Sequence, residues 1–284
     1  MERLLIIGTG LIGASTGLAL RSAGYNGRID GWDTSEAERR TALHLKAVNS
    51  VAGSHEQAIE LARRADVVLL AVPVMGILDW MQMLAPELRA GQLVTDVGST
   101  KGAITAMAAQ LFPGDGARFL PGHPMAGKES GGAARAEAGL FDAAVWLFTS
   151  TAPTASESEE EWKDWVRHIG ARTMNMEAAK HDRLCAWVSH LPQMLSTALA
   201  ALLEDEFGDA PEIAAIGARA LRETTRLGAS PYSMWRDVAM TNTDAVADTL
   251  LALELRLSHV RENLRTPELR EQFALANRFR SRRS

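Results

Sequence analysis

The stretch that most restricts the fold is Arg3–Gly13. A short, continuous apolar run, RLLIIG, passes directly into Gly8-Thr9-Gly10-Leu11-Ile12-Gly13, after which Ala14–Ser22 reads as helix. Such a run is the pattern of a strand buried on both faces of a parallel sheet. Arg28–Asp33 (RIDGWD) reads as a second strand, ending in a carboxylate twenty residues after Gly13. Alone, GxGxxG is weak; between a strand and a helix, with an acidic residue at that distance, it matches the dinucleotide-binding fingerprint. Gly8 allows the tight turn, Gly10 lets backbone approach a pyrophosphate at the positive helix end, and Gly13 lets helix pack on strand. Leu11 and Ile12 complete the cofactor-facing turn. Asp33 can accept from both ribose hydroxyls and repels a 2′-phosphate, which favours NAD over NADP. Arg39 and Arg40 on the next helix are the groups that could serve a phosphate instead.

The βα unit repeats. Ser35-x-x-Glu38 and Ser54-x-x-Gln57 are capping boxes, and Asp66–Val72 and Gln92–Val97 are buried strands. Ligands in an open parallel sheet lie beyond the strands' carboxyl ends, so Val72, Pro73 and the DVGSTK run Asp96–Lys101 are placed to line a site. Ser99 either N-caps a helix over Thr100–Leu111 or hydrogen-bonds a ligand held there. Lys101 is unfavourable to the dipole at a helix start, which points to an anionic neighbour. A short strand, Arg118–Leu120, leads into Phe119–Gly132 (FLPGHPMAGKESGG), read as a glycine-rich loop that presents His123 where no core is packed. Strands at Val145–Thr149 and Arg172–Met176 flank a helix over Ser156–Ile169, reached through a polar, acidic segment, Thr151–Glu161.

Beyond Met176 the pattern is helical: Ala178–Glu204 kinked at Pro192, then Pro211–Thr225, Pro231–Met240, Asp244–Leu264 and Pro267–Phe279. The fold class is therefore α/β: a Rossmann-like domain over residues 1–177, then an all-helical domain over 178–284. The apolar faces of Leu184–Leu203 exceed what a helical domain of this size can bury alone, which predicts a homodimer through the helical domain. Ser189, His190 and Gln193 lie beside the Pro192 kink, and Arg226 precedes Gly228 with Trp235 downstream. A satisfied core histidine and a solvated helix-end arginine are the plain readings; a substrate with carboxylates gives Arg226 a fork-shaped partner.

Of the 284 residues, 46% are hydrophobic and 23% charged, and the net charge of -5 argues against nucleic acid or an anionic membrane as partner. The one dense basic run, Arg278–Arg283, reads as a frayed, solvated tail. The single cysteine, Cys185, excludes an internal disulfide and reads as a small buried hydrophobe, and the seven histidines fall in no metal-ligand spacing, so no metal is expected. With no long apolar run and a strand at the N-terminus, a cytoplasmic location is expected.

Taken together, GTGLIGAS, DVVLLAVPV, TDVGSTKG, GHPMAGKESG, His181–Asp182, SHLP at Ser189–Pro192 and TTR…MWRD over Thr224–Asp237 resemble the prephenate/arogenate dehydrogenases of tyrosine biosynthesis along nearly the whole chain. The resemblance implies NAD-dependent oxidative decarboxylation of prephenate or arogenate, in a cleft between a cofactor domain and a helical dimerisation domain. By it, His123 is the catalytic histidine bonded to the ring hydroxyl, Ser99 assists there, Glu129 lies near the entrance and Arg226 binds a substrate carboxylate. His190 and Trp235 line the pocket; Ser189, beside the Pro192 kink, and Lys101, at its helix start, are further substrate-binding candidates from their positions in the sequence. Many prephenate-using members carry a second histidine where this chain has Gln193, so Gln193 is expected to face the substrate's side chain. Another Rossmann-plus-helical enzyme, a β-hydroxyacid dehydrogenase, would use a helical-domain lysine, for which Lys180 is the candidate.

Overall fold

The computed structural model describes residues 1–113, 116–149 and 155–282. Part of the acidic segment expected over Thr151–Glu161, and Arg283 of the basic run, lie outside the described residues. Six parallel strands, β1 (Arg3–Ile7), β2 (Arg28–Trp32), β3 (Ser50–Val51), β4 (Val67–Leu70), β5 (Leu93–Asp96) and β6 (Arg118–Leu120), form a sheet in the order β3-β2-β1-β4-β5-β6. The order reverses between β1 and β4, and the crevice beyond their carboxyl ends is where such sheets bind ligands.

Side chains alternate across a strand, and β1 has an apolar partner on each face. Leu4 and Ile6 join Ala14 and Leu20 of α1 (Leu11–Ser22) in one core. Leu5 and Ile7 join a second core with α3 (His55–Ala62), α4 (Val74–Leu84) and α5 (Gly102–Leu111). That double burial is why the strand carries no polar alternation. Ser35 and Ser54 cap α2 (Glu36–His44) and α3 as expected, each accepting an N–H three residues on at 3.3 Å. A helix not predicted from the sequence follows Pro73, with its buried positions Val74, Ile77, Met81 and Leu84 at helical spacing.

A second sheet pairs β7 (Gly122–Pro124) antiparallel to β8 (Val145–Phe148), and β8 parallel to β9 (Arg172–Asn175), with α6 (Glu157–His168) between the last two. This corrects the loop expected over Phe119–Gly132. His123 sits in a strand opposite Leu147 and is 8% exposed. Gly122 answers close packing, because a Cβ there would lie 2.8 Å from Asp96 O and 2.9 Å from Trp146 Nε1.

The remainder is helical: α7 (Ala178–Cys185), a π-turn (Ala186–His190), α8 (Leu191–Phe207), α9 (Pro211–Ile216), α10 (Arg219–Thr225), a 3₁₀ turn (Arg226–Ala229), α11 (Tyr232–Thr241), α12 (Thr243–Glu262) and α13 (Glu268–Ser281). The break expected at Pro192 is a wide turn just ahead of it, since Pro192 lacks an N–H and suits only the first turn of the next helix. Gly217 divides the single helix expected over 211–225. Over its described residues the basic run is not a frayed tail, since α13 continues to Ser281 with Arg282 as its C-cap. Trp187, Val188, Leu202, Leu251, Leu255 and Phe273 stand exposed on the helical half. Among the described residues no helix is long and apolar enough to cross a membrane.

Candidate active site

The glycine turn after β1 is shaped by packing at both ends and open in the middle. Gly8 has φ +96°, and a Cβ there would lie 2.3 Å from Ala71 O; at Gly13 it would lie 2.0 Å from Gly8 O. At Gly10 a Cβ would meet nothing within 4 Å. Gly10 is also the N-cap of α1 and provides no side-chain cap. Open space above uncapped N–H groups at a helix start is what a pyrophosphate requires, so the turn from Gly8 through Leu11 and Ile12 fits a dinucleotide. The Asp33 carboxylate accepts Thr9 N at 2.8 Å and Ser35 N at 2.9 Å. It therefore ties the turn to the end of β2, with its remaining lone pairs left for a ribose. Arg39 donates to the carbonyls of Asp33 and Thr34, and Arg40 pairs with Glu36 at 2.7 Å, so both guanidinium groups have protein partners. Val72 is half-buried and Pro73 exposed, leading into α4 on the same crevice.

Two carboxylates from the helical half cap helices of the cofactor half. Asp182 on α7 accepts Lys101 N at 2.7 Å and Gly102 N at 2.8 Å, at the start of α5. Asp237 on α11 accepts Met75 N at 3.0 Å, in the first turn of α4. Negative charge at both helix starts satisfies orphan N–H groups and opposes the dipoles, which docks the halves. Of the two readings of Ser99 this rules out the N-cap: the N-cap of α5 is Lys101, without a side-chain cap, and the half-buried Ser99 lies two residues before it.

Lys101 was expected at the substrate, and this too is corrected. It is fully buried, and its ammonium bonds the Asp96 carboxylate and Gly122 O. The anionic neighbour implied by a cation at a helix start is thus Asp96. Asp96 also accepts Gly122 N at 3.0 Å and Gly98 N at 2.8 Å, so the pair clamps β7 and His123 to the end of β5. Burial pushes the Lys101 pKa down and the Asp96 charge pushes it back up, with a net lowering.

His123 Nδ1 lies 2.9 Å from His181 Nε2, and His181 Nδ1 lies 2.8 Å from Asp182 Oδ1. Burial, then the charges of His181, Lys101 and His190, push the His123 pKa well below that of an ordinary histidine, so at neutral pH it is an uncharged imidazole. Burial pushes the Asp182 carboxyl up, but the hydrogen bonds from His181, Lys101 N and Gly102 N leave it lowered on balance. Cys185 Sγ lies 3.5 Å from His181 Nε2, and burial with the nearby Asp182 charge pushes its thiol up to about 12. Spacing along the chain gave no metal grouping, yet His123, His181 and Cys185 bring their ligand atoms within 4.8 Å of one another. The two imidazoles stand at hydrogen-bond separation. In the sequence His181 and Asp182 carry no signal beyond a family motif and two polar residues on a helix beside an apolar stretch, which assigns them no role.

On the helical side, Asn242 Nδ2 donates to Asp182 O at 2.9 Å and approaches His190 Nδ1 at 3.3 Å. With Nδ1 as acceptor, His190 Nε2 carries the proton, and it is buried without a partner. The Trp235 ring meets His190 edge to face at 5.9 Å, and Trp235 Nε1 is likewise buried without a partner. Two buried donors lacking acceptors cost about 1–3 kcal/mol each unless a ligand supplies them. Ser189 is half-buried on the same π-turn. Arg226 is ion-paired with Glu129 across the cleft, both partly exposed. Gln193 is corrected: it is 3% exposed, and its amide donates to Leu227 O at 2.7 Å and Thr197 Oγ1 at 3.1 Å, bracing the turn after Arg226.

Comparison with known proteins accounts for both halves. Residues 16–175 match the family description "Prephenate dehydrogenase, nucleotide-binding domain", and residues 177–277 match "Prephenate dehydrogenase, dimerization domain". The chain belongs to the prephenate dehydrogenase family. A prephenate dehydrogenase from Lactococcus lactis is 30% identical over 92% of this chain and 70% of its own length. A structure of prephenate dehydrogenase from Aquifex aeolicus, in complex with hydroxyphenyl propionate and NAD+, superposes with a TM-score of 0.85 at 26% identity, covering 100% of this chain and 96% of that one. Synechocystis arogenate dehydrogenase gives 0.78 at 28% identity, covering 99% and 100%. Membership of this dehydrogenase family displaces the β-hydroxyacid reading, and Lys180, which that reading needed, is exposed to solvent.

Proposed function

We propose that the protein is an NAD-dependent prephenate dehydrogenase that converts prephenate to 4-hydroxyphenylpyruvate. It works in the cytoplasm as a homodimer, with residues 1–177 holding the dinucleotide and 178–284 completing the substrate pocket and pairing the subunits through their exposed apolar side chains. The observation that carries this reading is His123: a buried, uncharged imidazole clamped at the carboxyl edge of the sheet, opposite unpartnered donors of the helical half.

The turn Gly8–Gly13 and Asp33 would hold NAD+, which when bound supplies the hydride acceptor. His123 Nε2 takes the proton of the ring hydroxyl as the carbinol carbon is oxidised, and Ser99 steadies that oxygen. Acid–base help of this kind is typically worth about 10²–10⁴-fold. The ring carboxylate then leaves as CO₂, and aromatisation makes the sequence irreversible. Arg226, released from Glu129, takes the side-chain carboxylate; a strong ion pair to the departing carboxylate would stabilise the ground state and oppose its loss. His190 and Trp235 offer their free N–H groups to acceptor oxygens.

The keto acid is favoured over its amino counterpart by the carboxylates around the cleft. Asp96, Asp182 and Asp237 are each bonded to donors of the chain, so none of these three offers a desolvated ammonium a free counter-charge. The test is NADH absorbance with CO₂ release, comparing prephenate, arogenate and 3-hydroxyisobutyrate. Prephenate should give the highest kcat/KM and the hydroxyacid none; absence of NADH with prephenate sinks the reading.

A further inference from the structure

We propose that His181 and Asp182 are positioning residues that hold His123 in the Nδ1–H tautomer, leaving the lone pair on Nε2 for the substrate's hydroxyl proton. The inference rests on the reading of His123 as the base, and follows from donor and acceptor assignment along a buried chain. Asp182 Oδ1 is an acceptor, already receiving Lys101 N at 2.7 Å, so the 2.8 Å contact with His181 Nδ1 requires the proton on that nitrogen. A His181 that carries only this proton has its lone pair on Nε2. His123 Nδ1, 2.9 Å away, must donate to it. Cys185, a thiol in these surroundings, directs a second, weak donor at the same Nε2 from 3.5 Å.

Nothing in this chain of bonds is free to turn. Asp182 is held by two backbone N–H groups of α5 and, through its own carbonyl, by Asn242. His181 is fully buried, and β7 is fixed by the Asp96–Lys101 pair on one side and β8 on the other. A buried carboxylate that fixes an imidazole tautomer and then stabilises the imidazolium is an established way to make a histidine an effective base. Here the carboxylate belongs to the helical half and the base to the cofactor half. The tautomer is therefore set only when the halves are docked.

The experiment is ¹⁵N–¹H long-range correlation NMR on the histidine rings of the full-length protein, with His123→Asn to assign the signal. Two variants at His181 accompany it. The wild type should show His123 protonated at Nδ1 and bare at Nε2. His181→Leu removes the acceptor, so the His123 proton should move to Nε2, with kcat falling at least ~10²-fold and both KM values within threefold. His181→Gln places an amide oxygen near the lost Nε2 and should recover at least tenfold over His181→Leu. A wild-type His123 protonated at Nε2, or a His181 protonated on both nitrogens, overturns the proposal without any variant having to fold. If the proton moves in His181→Leu while kcat stays within threefold, the tautomer assignment stands and the reading of His123 as the base falls.

Discussion

Arg226 of the helical half is ion-paired with Glu129, which follows the strand carrying His123. Both side chains are substantially exposed, so the pair adds little to stability. Its consequence is competition, since the guanidinium proposed for a substrate carboxylate already holds a protein carboxylate. Arg226→Ala should raise the KM for prephenate at least ~10-fold with kcat within threefold, the signature of lost uniform binding. Glu129→Gln should lower that KM. Steady-state kinetics decide it, and equal falls in kcat and kcat/KM for Arg226→Ala would place the arginine in the transition state instead.

Asp33 anchors Thr9 and Ser35 and is also the carboxylate proposed for the ribose. Asp33→Ser should weaken NAD+, narrow the preference over NADP+ by at least ~10-fold in kcat/KM, and lower Tm as the turn loosens. A wild type that already prefers NADP+ would show that Arg39 leaves its carbonyl partners for the phosphate.

Lys101 and Asp96 form a fully buried ion pair. Lys101→Met leaves a carboxylate buried beside only N–H donors and should cost about 3–5 kcal/mol, read by urea denaturation. Adding Asp96→Asn should restore part of that loss. A single-variant cost below about 1 kcal/mol would mean that water reaches Asp96.

The cofactor half was legible because its signals are local. An unbroken apolar strand, a glycine turn and an acidic strand end are each dictated by contacts a few residues apart, and Gly8 and Gly13 are glycine for clashes within that same unit. The candidate site was legible residue by residue and not as an arrangement. Of the two readings Ser99 allows, the cap is the one that fails: the acceptor at the start of α5 is Asp182, eighty residues distant in the chain. Lys101 correctly announced an anion but not which one. Gln193 and His190 sit three residues apart, yet the π-turn places the junction between them, and no local signal specifies that extra residue per turn.

Burial holds His190 at about 4, below the 6.5 of an ordinary imidazole. Between those values the unfolded chain binds more protons than the folded one. The contribution of His190 is therefore complete above pH 6.5 and is lost as pH falls toward 4, at up to about 1.4 kcal/mol per pH unit. His123 is shifted in the same direction. Unfolding free energies at several pH values across this window should fall steeply for the wild type and less steeply for His190→Gln. Equal slopes would show that His190 reaches a proton donor or water in the folded state.

Gln193 gives the last test, because the structure reverses what its position suggested. A residue facing the substrate's side chain would tune prephenate against arogenate. The Gln193 amide instead donates to Leu227 O, one residue beyond Arg226, and to Thr197 on its own helix. Gln193→Glu puts a carboxylate against a carbonyl, two acceptors with no proton between them, and the turn must move to relieve it. Arg226 moves with that turn, and both substrates carry the side-chain carboxylate it is proposed to hold. The KM should therefore rise several-fold for prephenate and arogenate alike, their kcat/KM ratio should stay within threefold, and the KM for NAD+ should not change. A shift of the ratio toward arogenate by tenfold would mean that the new carboxylate meets the ammonium directly and that Gln193 turns toward the pocket when substrate binds.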